Sequence, residues 1–140
     1  MQLIIGNQNY SSWSLRAWLL LAAFDVPFKT IKESLRQEQL KERLANYSPT
    51  SRVPVLIDEH TTVWDSLAIC EYVSEKYLAG EGWPADITHR ARARAICSEM
   101  HAGVNGLRSE LPMNCRATRK VEPSESALRD IARIEAIWSQ

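Results

Sequence analysis

The sequence predicts a small α/β domain of order β-α-β-α-β-β-α over residues 1–80, followed by an all-α segment that is incomplete. Three observations carry this reading. Short β-prone runs alternate with helical periodicity as far as residue 78. Glycine and proline cluster in residues 79–86. Beyond them the apolar spacing is helical only, and it is still running at Gln140.

Residues 2–5 are mostly apolar and β-prone, and Gly6, Asn7 and Asn9 break the run. Leu15, Trp18, Leu19 and Ala22 then recur at i, i+3, i+4 and i+7, one stripe of a helix from Ser12 to Phe24. Ser11 or Ser12 can cap it, and Asp25-Val26-Pro27 ends it. Residues 28–32 alternate as a second strand, and residues 37–46 read as a short exposed helix through Leu40 and Leu44. Ser48 to Ser51 form a turn, Val53 to Ile57 a third strand, and Thr61 to Trp64 a fourth across Asp58-Glu59-His60. A helix then runs from Ser66 to Leu78 with Ile69, Val73 and Tyr77 on one side, and Gly80 stops it. Residues 81–86 read as a linker and residues 87–140 as the first helices of a second domain. Its helices span 87–107 and 124–138, the latter with Leu128, Ile131 and Ile134 aligned. Two helices cannot close a core, so the expectation is a fragment, a truncated product or a domain completed by a partner.

Seventeen basic residues balance seventeen acidic ones, which argues against an electrostatic grip on nucleic acid or anionic membrane. No apolar run approaches the roughly 18 residues that cross a bilayer. The first residues lack the basic flank and apolar length of a secretion signal. Cys70, Cys97 and Cys115 form no Cys-x-x-Cys pair, so neither a disulfide framework nor a zinc site is expected, and cytoplasm is the expected compartment. Arg90, Arg92 and Arg94 read as a solvated face, because Arg92 points away from the other two.

Three features bear on chemistry. Ser11 and Ser12 stand at a helix N-terminus, where free N–H groups and the dipole favour an anion. A hydrogen bond to a charged group contributes about 1.5–3 kcal/mol and a helix terminus about 0.3–1. Together they lower a bound thiol by roughly 1.5–3 pKa units from about 8.5, enough to make it mostly thiolate at neutral pH. Pro54, at a strand entry after a turn, is a candidate cis peptide that leaves the Val53 N–H and C=O available to an extended peptide. Asp65 and Ser66 open a helix, where the carboxylate suits an ammonium and the hydroxyl and N–H suit a carboxylate. Taken singly, each reads as an ordinary cap or edge proline. In this order on this frame, they fit a short peptide with a free amino-acid end and a thiol, which is the shape of glutathione.

Over essentially its whole length the chain resembles the glutathione S-transferase superfamily, above all its bacterial and serine-type zeta members. The matching stretches are Ser11-Ser12-Trp13-Ser14-Leu15-Arg16, Ser48-Pro49-Thr50-Ser51-Arg52-Val53-Pro54-Val55-Leu56 and Asp65-Ser66-Leu67-Ala68-Ile69-Cys70-Glu71-Tyr72. The resemblance implies an α/β thioredoxin-like N-terminal domain followed by an incomplete all-α C-terminal domain. It implies glutathione as co-substrate, no metal, a small hydrophobic electrophile as acceptor, and a homodimer. Ser11 would activate the thiol, with Ser12 the alternative. Val53 beside Pro54 would pair with the cysteinyl unit, Asp65 and Ser66 would hold the γ-glutamyl end, and Gln39 and Arg52 would reach the glycyl end. Trp13 stands where zeta enzymes carry the cysteine of Ser-Ser-Cys; it would narrow the thiol mouth and bears against zeta-type isomerisation. Trp83-Pro84, Met100-His101 and Glu110 to Asn114 lie where the linker and pocket-lining helix are expected, with His101 read as a surface or interface residue. Other readings of the same site are glutathione-dependent isomerisation or peroxide reduction, and a non-catalytic glutathione-binding or dimerisation module. A glutaredoxin-like oxidoreductase would need a cysteine near Ser11, and the sequence has none there.

Overall fold

In the computed structural model, residues 1–34 and 39–139 are described. The expected helix start at Gln37 lies outside them, as does Gln140. The element order is β1 (Gln2–Ile5), α1 (Ser12–Ala23), β2 (Lys29–Lys32), α2 (Leu40–Ala45), β3 (Val55–Asp58), β4 (Thr61–Trp64), α3 (Ser66–Tyr77), α4 (Ile87–Ala102), α5 (Asn105–Glu110) and α6 (Glu125–Trp138). The chain divides into two compact units, Met1–Ala85 and Asp86–Gln140. Residues 81–85, read as linker, therefore belong with the first unit. Trp83 Nε1 donates to Glu71 Oε2 at 2.9 Å, which ties this segment to α3.

The sheet order is β2-β1-β3-β4, with β1 parallel to β2 and the other pairs antiparallel. Leu3, Ile5 and Leu56 share one face and join Ala17 and Leu21 of α1, Val26, and Ile69 and Val73 of α3 in a single core. Ile4 and Val55, in register with each other, alternate onto the opposite face and are also fully buried. A central strand apolar on both faces is what a sheet covered on both sides requires. β3 begins two residues later than expected, at Val55, because pairing with β1 starts at the Ile4–Val55 register.

Helix α1 turns a different side to the core than the expected stripe. Ser14, Ala17 and Leu21 are buried, whereas Leu15 and Leu19 are 40% and 55% exposed. The helix is apolar nearly all round, so periodicity alone does not choose its face. It ends with Asp25 left-handed at φ 52° and Val26 N–H donating to Leu21 C=O at 2.9 Å. That 6→1 bond closes the helix before Pro27 is reached.

In the second unit the single helix expected over 87–107 is broken. Gly103 follows α4, and Val104 is left-handed at φ 55°. Arg108 donates to the carbonyls of Met100 and Gly103, which takes up acceptors left at the end of α4. Helix α6 is capped by Ser124, whose Oγ accepts from Ala127 N–H at 3.3 Å. Ser124 in turn donates through N–H and Oγ to Glu110, whose carboxyl these bonds hold below its ordinary pKa. Arg133 forks onto Glu99 at 2.5 and 2.8 Å. The backbones of α5 and α6 meet at Gly106, where an added Cβ would stand 2.9 Å from Ala127 N and 2.7 Å from Ser126 Oγ. Gly106→Ala is therefore expected to cost ~1–3 kcal/mol through overpacking. Urea denaturation checks this, and wild-type stability would contradict so close an approach.

Candidate functional site

Register brings the predicted groups to one end of the sheet. Ile5 at the end of β1 pairs with Lys32 at the end of β2. Ile4 pairs with Val55 at the start of β3, and Val55 pairs with Trp64 at the end of β4. Antiparallel pairing thus sets the loop carrying Ser11, the Val53–Pro54 entry and the Asp65–Ser66 exit at the same sheet end. Arg52, exposed, leads into the same entry. Gln39 is exposed at the N-cap of α2 with φ 63°, outside the sheet register that gathers the others.

Ser11 is the N-cap of α1 and only 9% exposed. Its Oγ accepts from Ser14 N–H at 3.3 Å and donates to Ser14 Oγ at 2.8 Å. Ser12, half-buried, uses its N–H on Tyr10 C=O at 3.1 Å. Ser11 and Ser14 line a cavity of about 130 Å³ whose other walls are Ile5, Gln8, Leu15 and Trp18. Two hydroxyls at a helix N-terminus beside apolar walls can stabilise a small buried anion. Trp13 is not among the lining residues. Its ring lies 4.3 Å from the Arg16 guanidinium, a cation–π contact that occupies the indole face.

The Val53–Pro54 peptide bond is cis. Val53 precedes the first paired residue of β3 and so lies outside the strand ladder. Asp65 has φ 76° and ψ 132°, and its Oδ1 accepts from Leu67 N–H at 2.9 Å. The carboxylate thus caps α3 as well as standing at the site. Ser66 is 1% exposed, and its Oγ has no hydrogen-bond partner among the described residues. A buried hydroxyl without a partner costs about 1–3 kcal/mol, a cost that a polar ligand at the start of α3 would remove.

Two polar groups with no role in the sequence reading support this end of the domain. Glu33 accepts from Arg43 Nε at 3.1 Å and Tyr47 Oη at 3.0 Å, joining β2 to α2. That bond to Glu33 raises the Tyr47 phenol above its ordinary pKa. Ser14 is the second. It stands within a matched stretch, and its i, i+3 spacing from Ser11 was the available signal. Among the expected bystanders, Cys70 and Cys97 are half-buried and Cys115 is exposed, Arg92 and Arg94 are exposed, and His101 is half-buried. No helix of the described residues is long and apolar enough to cross a membrane.

Residues 10–76 match the family described as glutathione S-transferase, N-terminal domain. A probable maleylacetoacetate isomerase of Caenorhabditis elegans is 33% identical over 96 residues, covering 69% of this chain and 44% of that protein. A glutathione transferase homolog from Burkholderia, solved with glutathione bound, superposes with TM-score 0.64 at 28% identity, covering 77% of this chain and 56% of that one. Poplar glutathione transferase F1 shares the fold, with TM-score 0.72 at 24% identity over 100% of this chain and 69% of that one. The chain spans less than half the length of the nematode relative it matches. Its first unit has the four-stranded, thioredoxin-like architecture of these proteins and carries the matched stretch whole. The chain belongs to the glutathione S-transferase superfamily.

Proposed function

We propose that this chain binds glutathione at the sheet end that gathers Ser11, Val53–Pro54 and Asp65–Ser66, and activates its thiol for attack on an electrophilic carbon. The convergence of those three segments is the observation that carries the reading, and the Burkholderia homolog with glutathione bound supports it. In this reading the Ser11 hydroxyl donates to the thiolate at the positive end of α1, with Ser12 as the alternative donor. Val53 pairs its backbone with the cysteinyl unit beside Pro54. Ser66 offers its buried hydroxyl and N–H to the γ-glutamyl carboxylate, and Asp65 takes the ammonium. Gln39 and Arg52 serve the glycyl end, and Trp13, which does not line the cavity at Ser11, contacts the peptide outside it. The protein supplies ionisation and position, not a covalent intermediate. The acceptor is a small hydrophobic electrophile, the working assembly a homodimer, and the compartment the cytoplasm.

The nematode relative favours a second reaction at the same site, glutathione-dependent isomerisation, in which the thiolate adds to a carbon and is later expelled. Conjugation consumes thiol and isomerisation returns it, so thiol titration during turnover separates the two.

Calorimetric titration of the chain with reduced glutathione tests the binding step, and turnover of an aryl halide tests the chemistry. No heat of binding would sink the proposal, whereas binding without turnover would leave a non-catalytic module. Ser66→Ala is expected to weaken glutathione roughly 10- to 100-fold, the equivalent of one hydrogen bond to a charged group. An unchanged affinity would remove Ser66 from the site.

A further inference from the structure

Ser14, in the first turn of α1, is 3% exposed on the core-facing side of the helix. Its Oγ accepts from Gly6 N–H at 3.1 Å and from Ser11 Oγ at 2.8 Å, while its own N–H donates to Ser11 Oγ at 3.3 Å. A serine hydroxyl has one hydrogen and two acceptor positions. In this arrangement both acceptor positions of Ser14 are filled and the Ser11 hydrogen is spent on Ser14. Ser11 then has nothing left to donate to a third group. Reversing that single bond changes the balance. Ser14 still accepts from Gly6 but donates to Ser11, Ser11 accepts both the N–H and the O–H of Ser14, and the Ser11 hydrogen turns outward. Two O–H bonds rotate, and no heavy atom moves.

We propose that Ser14 is the positioning residue of the site, the middle of a chain running from Gly6 N–H through the Ser14 and Ser11 hydroxyls to the bound sulfur. The proposal rests on the reading of Ser11 as the thiol-activating group. Each donor in such a chain polarises the next, so the Ser11 O–H becomes a stronger donor than a lone hydroxyl. Gly6 directly follows β1 and Ser14 lies in the first turn of α1, so the end of the strand anchors the orientation. An alanine would serve packing on this face equally well, next to Ala17 and Leu21. The hydroxyl is what packing does not explain.

The test uses the 140-residue chain with glutathione, reading the apparent thiol pKa from the pH profile of conjugation and from thiolate absorbance. Ser14→Ala is expected to raise that pKa by roughly half to one unit, with roughly three- to tenfold slower turnover below it and glutathione affinity unchanged within about twofold. Ser14→Thr, which keeps the hydroxyl, is expected to restore the wild-type profile. Should Ser14→Ala not fold, Ser14→Cys keeps the volume with a weaker donor and is expected to shift the pKa in the same direction by less. A profile unmoved by Ser14→Ala or Ser14→Cys, while Ser11→Ala moves it, overturns the role of Ser14. A profile unmoved by Ser11→Ala as well overturns the Ser11 reading instead.

Discussion

Replacing Ser11 by alanine is expected to raise the apparent pKa of bound glutathione by roughly 1–2 units and to lower conjugation at neutral pH by about 10- to 100-fold. The basis is one hydrogen bond to a thiolate, worth about 1.5–3 kcal/mol, removed from a site whose helix terminus remains. Glutathione affinity near neutral pH should fall far less, because most of the peptide is held elsewhere. A structural effect competes with this reading. Ser11 is also the N-cap of α1, accepting from Ser14 N–H, and loss of such a cap costs about 0.5–2 kcal/mol of stability. Two further variants separate cap from catalysis. Ser11→Asp keeps a capping acceptor but sets a like charge beside the sulfur, so stability should hold while activation is lost. Ser12→Ala should change turnover by no more than about twofold, since Ser12 neither caps α1 nor lines the cavity. If Ser12→Ala proves to be the damaging change and Ser11→Ala does not, the two serines exchange roles.

The parts of this molecule that could be read from residues alone are those decided locally. Strand β4 falls at Thr61–Trp64 as expected, because β-prone residues sit between a turn and a capped helix. Ser66 opens α3 because Asp65 caps it, and Gly80, left-handed at φ 86°, follows its end. The candidate site was legible for a related reason: its segments lie next to strand ends, and the order of strands then gathers them. What could not be read depended on distant partners. The buried side of α1 is chosen by Leu3, Ile5 and Ile69, not by its own pattern, so Ser14 goes inward and Leu19 outward. The break after α4 is stabilised by Arg108 reaching back to Met100 and Gly103, which spacing does not reveal. The place of Ser14 likewise depends on a distant partner, the Gly6 N–H eight residues away that donates to its hydroxyl.

The largest effect on stability is expected at Asp58, the last residue of β3, which carries no predicted role in the chemistry. Its carboxylate is nearly fully buried, and Oδ2 accepts from Tyr72 Oη at 2.8 Å, Lys76 Nζ at 2.8 Å and Tyr77 Oη at 2.5 Å. One oxygen thus fastens the sheet to the second half of α3, the helix whose first turn carries Ser66. Burial alone would raise this carboxyl. The bonds from Lys76, Tyr77 and Tyr72, with the Lys76 charge, outweigh it and hold the pKa to about 2, against an ordinary 3.8. A folded-state pKa below the unfolded one means stability that is fully present above the ordinary value and lost as pH falls toward the depressed one. The window is therefore from about pH 4 down to about pH 2, and the amount is about 2 kcal/mol by linkage. Asp58→Ala should cost about 2–3 kcal/mol at neutral pH, less than the roughly 3–5 kcal/mol of breaking a fully buried pair, because Lys76 is 38% exposed and can turn to water. Asp58→Asn keeps an acceptor for the two phenols and should lose less, but its stability should fall less steeply than wild type below pH 4. Urea denaturation of the three proteins between pH 2 and 7 gives both numbers. Parallel curves for wild type and Asp58→Asn across that window would show that the charge of Asp58 does not hold α3 to the sheet.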